Sequence, residues 1–584
     1  MMVLVATAFL CLGLINLDFK RHWLAGQAFR LAVGAPLVAI FVYVTMPPLV
    51  FPQVVPLLLL TFVPNALYSG VLSLRSWIVS RRVVSMHREP LLPYAAGTLA
   101  LFVLFAVFEA LPFLDASGLR NLAHAVTSTA APQRIDPRLL RVVPQESAVF
   151  EGEKVIGQLG AYYRVGNYHV QPVAGQLVWV APLEFRDVIK WLTRRTSPGV
   201  VVVSAQSPDQ GAELLQDEPM KYIPSAFLND NLARHVYFRY GNRVLLETTL
   251  QLDDHRKAWY VCTLGRPTIG NSGMVVTDAV IVDPVTGAMT RYRRARFDQL
   301  PHWVRRVVPP SLALDYNIWF GLYVHGWWNA HTTERDVHLP ARDEVFGILS
   351  SGDQFVWFVD HTSPAASDAS MTGFTYMNAV TGAMTYYTAV GGSFSSKAAE
   401  NAVASNGLVR QSRLQATQPV LYDLFGEITW VVPVVADTGK FQTLALVQAR
   451  NGHVVVGNPQ SPFPVQDALA QYQAWVGGLS PRGVGEGTET GVLDRVARTS
   501  SQLIFTLRGS EQIYAINDPQ RPDELLARSG DHVRFQSTPG GAEGERIVVA
   551  FTNESLSRPS PSSPAPRATA SPSSPAPSRT PTPR

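Results

Sequence analysis

Four apolar runs begin the chain, and they constrain its fold more than any other feature of the sequence. They cover residues 1–17, 31–50, 54–74 and 91–114, and none of them contains Lys or Arg. Each approaches the roughly 20 residues that an α-helix needs to cross the hydrocarbon core of a bilayer. A soluble protein would need a much larger surrounding domain to cover so much apolar surface. The runs therefore predict a membrane bundle of about four helices over residues 1–114.

The first run leaves two interpretations open, a short membrane span or a secretory signal peptide. A signal peptide carries a basic segment ahead of its apolar stretch, and residues 1–17 have none. The single A-x-A-like triplet, Ala6-Thr7-Ala8, comes too early for cleavage. The sequence does not decide whether residues 1–17 cross the membrane.

Basic residues in the short loops predict the orientation of the bundle, because Lys and Arg are retained on the cytoplasmic side of spanning helices. They separate the first run from the second and the third from the fourth, at Lys20, Arg21, Arg30, Arg75, Arg81, Arg82 and Arg88. The connection at residues 47–53 has none, and the stretch after the fourth run has only Arg120 before Arg134. The large C-terminal region is therefore expected outside the cytoplasm.

Length and composition bound the rest of the chain. At 584 residues the chain exceeds the size at which a single hydrophobic core stops growing. Cys11 and Cys262 are its only cysteines and lie far apart, which excludes a disulfide framework. The formal net charge of +4 is small for a chain of this length, so no specific nucleic-acid partner is expected.

An internal repetition organises the soluble region. The hexapeptide Val-Thr-Gly-Ala-Met-Thr occurs at residues 285–290 and again at residues 380–385, each time after a β-like run. A glycine in the middle of such a segment suits a tight turn between two strands, where φ is positive. The residues predicted to form these structural turns are Asp283, Thr286 and Gly287 in the first copy and Asn378, Thr381 and Gly382 in the second.

Weaker similarity extends the pattern on both sides. A predicted helix at residues 147–157 precedes strands near 162–173 and 176–181, and a second helix at 397–404 precedes strands near 428–435 and 441–448. After a connector at 115–144, residues 145–476 are therefore predicted to hold four related α+β units. The predicted fold class is an α-helical membrane bundle followed by α+β extracytoplasmic repeats, each a helix plus a β-hairpin, and a small β-barrel.

Two resemblances accompany these patterns. A short helix, the strand around residues 258–261 and a second strand ending in Asp283-Pro284-Val285-Thr286-Gly287 resemble PepSY-type domains, exported modules associated with restraining or assisting exported proteins. More widely, the chain resembles a group of uncharacterised bacterial multi-spanning membrane proteins through the segments 181–184, 222–226, 301–304 and 325–329. The resemblance implies a bacterial envelope location and a non-enzymatic tendency, and it supplies no catalytic residues.

The C-terminal part is predicted to be a separate module. Residues 477–491 form a Gly-rich linker, and residues 492–556 hold five short strand-like runs with a Gly-Asp-x-Val step at 530–533, similar to OB-fold barrels. An unrelated small β-barrel or sandwich fits these runs equally well, and the ligand of an OB-like barrel is not predicted. The tail at 557–584 is rich in Ser, Pro and Ala and is predicted to be disordered.

Three clusters carry the side chains that hydrolysis or metal binding would need. The densest is His325, His331, Glu334, Asp336 and His338, of which His331, Glu334 and His338 are the candidate metal ligands. Their spacing matches no zinc signature, and the neighbouring tryptophans favour a packed corner.

The other two clusters suit turns. Asp253, Asp254 and His255 lie between two β-like runs, and Ser272 resembles a serine-protease nucleophile without a His-bearing partner motif. The sequence has no phosphate-binding loop and no dinucleotide fingerprint, so no cofactor and no catalytic residue are predicted.

Repeated exported modules without a catalytic constellation favour recognition over catalysis. The leading hypothesis is a membrane-anchored extracytoplasmic binding or scaffold protein that acts on or regulates an envelope or exported protein. An envelope hydrolase with a site near His325–His338 is one alternative, and a sensor or assembly subunit of an envelope complex is another. The expected partners are the lipid bilayer and an envelope or exported protein or peptide.

Overall fold

The computed structural model describes most of the chain. The described residues are 2–17, 23–80, 91–132, 134–216, 219–350, 354–365, 369–479, 489–499, 502–517, 519, 522–539 and 545–556. They divide into two compact units, Met1–Pro481 and Arg482–Arg584. The predicted tail at 557–584, most of the predicted linker and the loop residues Lys20, Arg21, Arg81, Arg82 and Arg88 lie outside the described residues.

Four apolar helices begin the first unit: α1 (Met2–Leu10), α2 (Trp23–Thr45), α3 (Val54–Ser80) and α4 (Leu91–Leu114). The last three are long and apolar enough to cross a membrane, over Trp23–Thr45, Val54–Leu72 and Leu92–Leu114. With its following 3₁₀ turn, α1 forms a shorter apolar helix, Met2–Leu14, so a fourth span stays a prediction. Arg30 was expected in a loop but lies within α2, because this helix begins at Trp23 rather than after Arg30.

The two ends of the helix bundle make different hydrogen bonds. At one end, the backbone N–H of Asn16 donates to Oε1 of Gln27 at 2.7 Å, and that of Leu17 donates to Oη of Tyr94 at 2.8 Å. At the other end, Tyr43 Oη donates to Asn229 Oδ1 at 3.2 Å, far along the chain. The end of α1 and the starts of α2 and α4 therefore meet on one side, and the β-rich region docks on the opposite side.

The connector holds α5 (Ala116–Asn121) and β1 (Val126–Ser128), and the first sheet follows. Its elements are α6 (Gln145–Val155), β2 (Tyr163–Val165), β3 (His169–Val173), β4 (Gln176–Phe185), α7 (Val188–Arg194), β5 (Val200–Ser204) and β6 (Glu213–Leu215). The strand order is β2-β4-β5-β6, and β3 also pairs with β4.

The second sheet has four strands in the order β10-β9-β8-β7. Its elements are α8 (Leu232–Tyr240), β7 (Val244–Leu252), β8 (Ala258–Arg266), β9 (Val275–Val282) and β10 (Met289–Arg293).

The third sheet is preceded by α9 (Pro310–Leu322) and α10 (Gly326–His331). Its strands are β11 (Leu339–Pro340), β12 (Phe346–Ser350), β13 (Gln354–Thr362), β14 (Met371–Asn378) and β15 (Met384–Tyr387). The order is β1-β15-β14-β13-β11 with β12 also on β13, and β1 from the connector pairs parallel to β15.

The fourth sheet completes the first unit, in the order β16-β18-β19-β20 with β17 also on β18. Its elements are α11 (Ser396–Ala404), α12 (Gly407–Gln411), β16 (Gln415–Ala416), β17 (Val420–Leu424), β18 (Glu427–Val435), β19 (Phe441–Gln448), β20 (Val454–Val456) and α13 (Pro464–Leu479).

Each of the four sheets contains a meander of four consecutive antiparallel strands with a helix before it. The meanders are β3 to β6, β7 to β10, β12 to β15 and β17 to β20. Each predicted unit was a helix plus a hairpin of two strands, whereas each observed meander has four strands. Short strands such as β6 and β20 have only three residues each, too few to show a period-two pattern in sequence.

The second unit is a closed five-stranded barrel in the order β21-β22-β23-β25-β24. Its elements are β21 (Glu489–Arg498), β22 (Gln502–Leu507), β23 (Ile513–Asn517), α14 (Pro522–Leu525), β24 (His532–Pro539) and β25 (Glu545–Asn553). β23 and β25 run parallel, and Phe505, Phe535 and Phe551 pack together inside. The five strands expected in this region are the five strands of the barrel.

Candidate binding site

The turn between β9 and β10 is held by bonds within its own sequence. Asp283 Oδ1 accepts hydrogen bonds from the backbone N–H groups of Val285 at 2.8 Å and Thr286 at 3.1 Å. The N–H of Gly287 donates to the carbonyl of Asp283 at 2.8 Å, and Gly287 has a φ of +75°. The hydroxyl of Thr286 accepts from Ala288. The residues of the first hexapeptide copy therefore close a tight turn.

The turn between β14 and β15 repeats these bonds one for one. Asn378 Oδ1 accepts from the N–H groups of Val380 at 3.0 Å and Thr381 at 2.8 Å. Gly382, with a φ of +74°, donates to the carbonyl of Asn378 at 2.8 Å. The carboxamide of Asn378 thus substitutes for the carboxylate of the first copy without changing the turn.

The fourth sheet makes the same turn without the hexapeptide. Between β19 and β20, Gln448 Oε1 accepts from the N–H groups of Arg450 at 2.9 Å and Asn451 at 2.7 Å. Gly452, with a φ of +71°, donates to the carbonyl of Gln448. The geometry of the turn is therefore shared more widely than its sequence.

The first sheet begins the same turn and then departs from it. Ser204 Oγ accepts from the N–H groups of Gln206 at 3.3 Å and Ser207 at 3.0 Å, as the side chains of the other turns do. The chain then continues through residues 205–212 before β6, instead of reversing at a glycine. This longer loop is the main difference among the four sheets.

The segment ahead of each helix is tied to these turns. The carbonyl after the side-chain acceptor receives backbone N–H bonds from that segment: Ala205 from Val142 and Val143, Pro284 from Lys221 and Tyr222, Ala379 from Val307 and Val308, and Ala449 from Phe394. In three sheets an indole N–H donates to the same segment: Trp179 to Val143, Trp357 to Val308 and Trp430 to Phe394, at 2.8 to 2.9 Å. Tyr260 occupies this position in the second sheet.

The loop at 205–212 lines a cleft of about 230 Å³ between the first and fourth sheets. We call it the serine cleft; its polar lining is Ser147, Glu151, Ser204, Ser207, Asp209, Gln210, Lys440, Gln442 and Ser461. Ser147, Glu151, Ser204 and Ser461 are already hydrogen bonded within the chain. The remaining five side chains have no hydrogen bond or ion pair with another described residue.

The electrostatics of the serine cleft are mixed. Partial burial raises the pKa of Asp209. Lys440 faces the cleft from the hairpin between β18 and β19, and Pro208, Pro459 and Pro462 supply rigid walls that donate no backbone N–H. The cleft therefore offers hydrogen-bond donors and acceptors together with one acidic and one basic side chain. This mixture suits a polar segment of polypeptide better than a single ion.

A second cleft, also of about 230 Å³, lies beside the turn of Asp283. We call it the turn pocket; its lining is Gly199, Val200, Leu215, Met220, His255, Arg256, Lys257, Ala258, Pro284 and Val285. Its charged groups are paired, because Arg256 binds Glu213 at 2.6 and 3.1 Å and Lys257 lies 3.6 Å from Asp283. The turn pocket thus has fewer free polar groups than the serine cleft.

The predicted metal candidates do not converge. The His331 ring stacks on Trp327, and His338 turns inward to His361, 2.9 Å away between the Nδ1 atoms. Glu334 has a φ of +49° in the turn after α10. Across the described ranges, no group of three or more His, Cys, Asp or Glu residues is placed to hold a metal ion.

The other predicted polar residues lie in turns. His325 and Asp336 pair at the surface at 2.9 Å. Asp253 caps the hairpin between β7 and β8 by accepting from the N–H groups of His255 and Lys257. Ser272 closes a turn with Ile269, and its neighbour Asn271 donates to Glu109 of α4 at 2.5 Å. Asp253 and Ser272 therefore lie in turns at opposite ends of β8.

A buried histidine network was not predicted from the sequence. Asn317 Nδ2 donates to the Ala313 carbonyl, so its Oδ1 accepts from Thr375 Oγ1 at 2.6 Å and from His361 Nε2 at 2.9 Å. In neutral His361 the Nδ1 atom must then accept, and Nδ1 of His338 donates to it. Burial lowers the pKa of His338 to about 4 and holds the pKa of His361 well below its usual value. Single histidines far apart in sequence carry no signal for such a chain.

A buried arginine was also missed. Arg306 Nη2 donates to Glu247 Oε1 at 2.5 Å, and its guanidinium lies over the Trp357 ring at 4.9 Å. Burial lowers the pKa of Arg306, which the Glu247 carboxylate partly counteracts. A signal was present, because the segment Arg306-Val307-Val308-Pro309 repeats Arg141-Val142-Val143-Pro144.

Comparisons with known proteins add no family to this geometry: no protein-family model matches the chain, and no curated protein matches it.

Proposed function

We propose that this protein is a membrane-anchored, extracytoplasmic binding or scaffold protein whose serine cleft holds an extended polar segment of an exported or envelope polypeptide. The observation that carries the proposal is the set of unpartnered side chains in the serine cleft, Ser207, Asp209, Gln210, Lys440 and Gln442. A polypeptide backbone offers alternating donors and acceptors that such groups can pair with.

The membrane placement is supported by the helices and by the way the β-rich region docks on them. Three helices are long and apolar enough to cross a bilayer. On the opposite side from the ends of α1 and the starts of α2 and α4, Arg234 donates to the Tyr43 carbonyl at 3.1 Å and Tyr237 to the Pro47 carbonyl at 2.9 Å. Together with the expectation that the basic loops stay in the cytoplasm, this geometry supports an extracytoplasmic position of the sheets.

The module assignments belong to the same proposal. The common meander, turn and helix-segment bonds support related units, and the Asp283 turn supports the PepSY-like assignment of the second sheet. In the C-terminal unit, the parallel pairing of β23 with β25 and the helix α14 between β23 and β24 support an OB-like barrel.

Site-specific photo-crosslinking tests the cleft. A photoreactive residue at Gln210 should give a covalent adduct with an exported polypeptide in native membranes, whereas the same residue at exposed Gln411 on α12 should not. Ser207→Trp fills the cleft and should abolish the Gln210 adduct without changing the far-ultraviolet circular dichroism. Equal adducts at Gln210 and Gln411, or an adduct that survives Ser207→Trp, would contradict the proposal.

Orientation has its own test. A reporter that is active only outside the cytoplasm, fused after Leu556, should be active in cells. A stable but inactive fusion would place the sheets in the cytoplasm and remove the extracytoplasmic part of the proposal.

A sensor or assembly subunit is the second candidate, favoured by a second docking point between the β-rich region and the helices. Phe113 of α4 contacts Trp327 of α10 edge to face, with ring centroids 6.1 Å apart. Arg120 of α5 donates to the Phe320 carbonyl at 3.2 Å. Binding at the sheets would then change spectroscopic distances within the helix bundle, which a pure scaffold would leave constant.

A further inference from the structure

Arg30 is a charged residue placed among apolar helices. It lies on α2, within the candidate span Trp23–Thr45 and seven residues from its start. At 1.5 Å per residue this position is about 10 Å along the helix. An arginine at such a depth is costly and marks a functional or partner-bearing site by default.

The guanidinium of Arg30 is held by neutral groups alone. Its Nε donates to Asn65 Oδ1 at 2.9 Å, its Nη2 to Ser69 Oγ at 2.8 Å and its Nη1 to the Gly26 carbonyl at 3.2 Å. The cation lies 5.4 Å from the centroid of the Tyr68 ring. Across the described ranges no carboxylate lies within ion-pairing distance of Arg30, so none of the described residues neutralises its charge.

The groups that orient Arg30 are themselves fixed. Asn65 and Ser69 lie one turn apart on α3 and are only 5% and 4% exposed. Asn65 Nδ2 also donates to the carbonyls of Gly13 and Ile15, at 3.0 and 2.9 Å. The site is therefore built from buried polar side chains of α3 and from the chain after α1.

The site is open toward the outside of the bundle. Phe29 and Tyr68 stack beside it with ring centroids 6.1 Å apart, and they are 54% and 39% exposed. Three of the five guanidinium N–H groups are used by the contacts above, so two remain to meet a ligand. The position is at the end of the bundle where α2 begins and α3 ends.

We propose that Arg30, oriented by Asn65 and Ser69, binds the phosphate of an anionic phospholipid headgroup at the groove between α2 and α3. The inference rests on the membrane placement proposed above and not on the serine cleft. A phosphate supplies the missing counter-charge and matches the planar fork of an arginine. Nη1 of Arg30 donates to the Gly26 carbonyl, four residues nearer the start of α2, so the guanidinium extends toward the near end of the helix.

Lipid titration of the purified full chain in detergent tests the proposal. Phosphatidylglycerol should raise the thermal unfolding midpoint by several degrees and remain bound in native mass spectrometry, whereas phosphatidylcholine should do neither. Arg30→Gln should lose the phosphatidylglycerol shift and one retained lipid. Arg75→Gln, which removes a charge from the same end of α3, should keep both.

Four outcomes would overturn the inference. Wild-type protein without a phosphatidylglycerol-specific shift would leave Arg30 as a link between helices. Equal losses in Arg30→Gln and Arg75→Gln would indicate general surface charge. An equal shift with inorganic phosphate would exclude the lipid. Asp18 lies outside the described residues, and an Asp18→Asn variant with a larger phosphatidylglycerol shift than the wild type would identify Asp18 as the internal counter-ion of Arg30.

A second variant covers the case in which Arg30→Gln does not fold. Arg30→Lys keeps the charge but loses the fork that Asn65 and Ser69 orient. It should retain a smaller phosphatidylglycerol shift than the wild type. A full shift in Arg30→Lys would contradict the role given to Asn65 and Ser69.

Discussion

The first and third sheets are preceded by the same four-residue sequence, but they differ in the turn before their last strand. Arg141 and Arg306 each open an Arg-Val-Val-Pro segment, and each guanidinium lies over the buried tryptophan of its sheet, at 5.2 Å from Trp179 and 4.9 Å from Trp357. Backbone N–H groups of the two segments bind the carbonyls of Ala205 and Ala379 in the same way. The shared bonds define a common frame for the two sheets.

The two sheets differ in the loop that precedes the last strand and in the partner of the buried arginine. After β14 the chain reverses in a tight turn, whereas after β5 it opens into the 205–212 loop that lines the serine cleft. The arginines differ as well, since Arg306 pairs with the carboxylate of Glu247 and Arg141 with the neutral amide of Gln418. The two sheets therefore share their main-chain hydrogen bonds but differ in loop length and in the partners of their buried arginines.

The largest expected effect separates the two arginines. Arg306→Ala leaves the half-buried carboxylate of Glu247 without its partner and empties the buried site of the guanidinium over Trp357, so it should lower the free energy of unfolding by about 3–5 kcal/mol. Arg141→Ala breaks a hydrogen bond to an amide rather than an ion pair and should cost less. Denaturant unfolding of the full chain in detergent, followed by circular dichroism, measures both.

A double variant checks the cause. Arg306→Ala with Glu247→Ala removes both charges, and it should recover much of the stability lost in Arg306→Ala alone. If the double variant is as unstable as the sum of the single variants, packing on Trp357 rather than the ion pair explains the loss.

The next effect compares the glycines of the two identical turns. Gly287 and Gly382 have φ values of +75° and +74°, so alanine at either position should cost about 1–2 kcal/mol. A Cβ at Gly287 would also meet the Tyr222 ring at 2.7 Å, whereas at Gly382 the nearest atom is 3.6 Å away. Gly287→Ala should therefore be less stable than Gly382→Ala by a further amount of about 1–3 kcal/mol. Equal losses would mean that Tyr222 moves aside freely.

The third effect is specific to the third sheet, where His361 stands four residues after the buried tryptophan. The equivalent positions hold Leu183, Leu264 and Val434. The pKa of His338 is lowered from 6.5 to about 4, so the unfolded chain binds a proton that the folded chain excludes in this range. Stability should be complete above pH 6.5 and fall by about 2 kcal/mol by pH 5 through this residue alone.

Removing the histidine pair tests this assignment. A chain with His338→Gln and His361→Leu restores the apolar residue of the other sheets, and its unfolding midpoint should depend less on pH between 6.5 and 4 than that of the wild type. An unchanged pH profile would assign the acid sensitivity to other groups, such as buried His169, whose pKa is lowered to about 3.

The sequence predicted elements better than their assembly. Helices and central strands such as β18 and β22 followed from apolar patterns, and the two hexapeptide turns followed from Gly and Asp or Asn chemistry. The Gln448 side chain was not predicted as a turn acceptor, because Asp and Asn are the residues that usually make these bonds. The Arg30 position was missed because α2 begins about two turns before the apolar run, in a stretch where polar groups of α3 bind the Arg30 side chain.

The serine cleft could not be predicted from the sequence for a different reason. Its walls come from residues 143–151, 203–210 and 440–464, which meet only when the first and fourth sheets pack. No local sequence pattern indicates that these segments pack together. Among the four turns, the one at Ser204 is followed by a long loop, whereas the other three reverse at a glycine. This longer loop is the one local feature associated with the cleft.

The smallest expected effect exchanges the acceptors of the two identical turns. Asp283→Asn keeps both hydrogen bonds to the N–H groups of Val285 and Thr286, because the carboxamide of Asn378 makes the same bonds. The variant loses only the ion pair with Lys257, at 3.6 Å, and should cost at most about 1 kcal/mol, less at high salt. Asn378→Asp should be near neutral. Urea unfolding at low and high ionic strength measures both. A loss in Asp283→Asn that salt does not reduce would mean that the carboxylate acts beyond its turn, and the two turns would then differ in role despite their identical bonds.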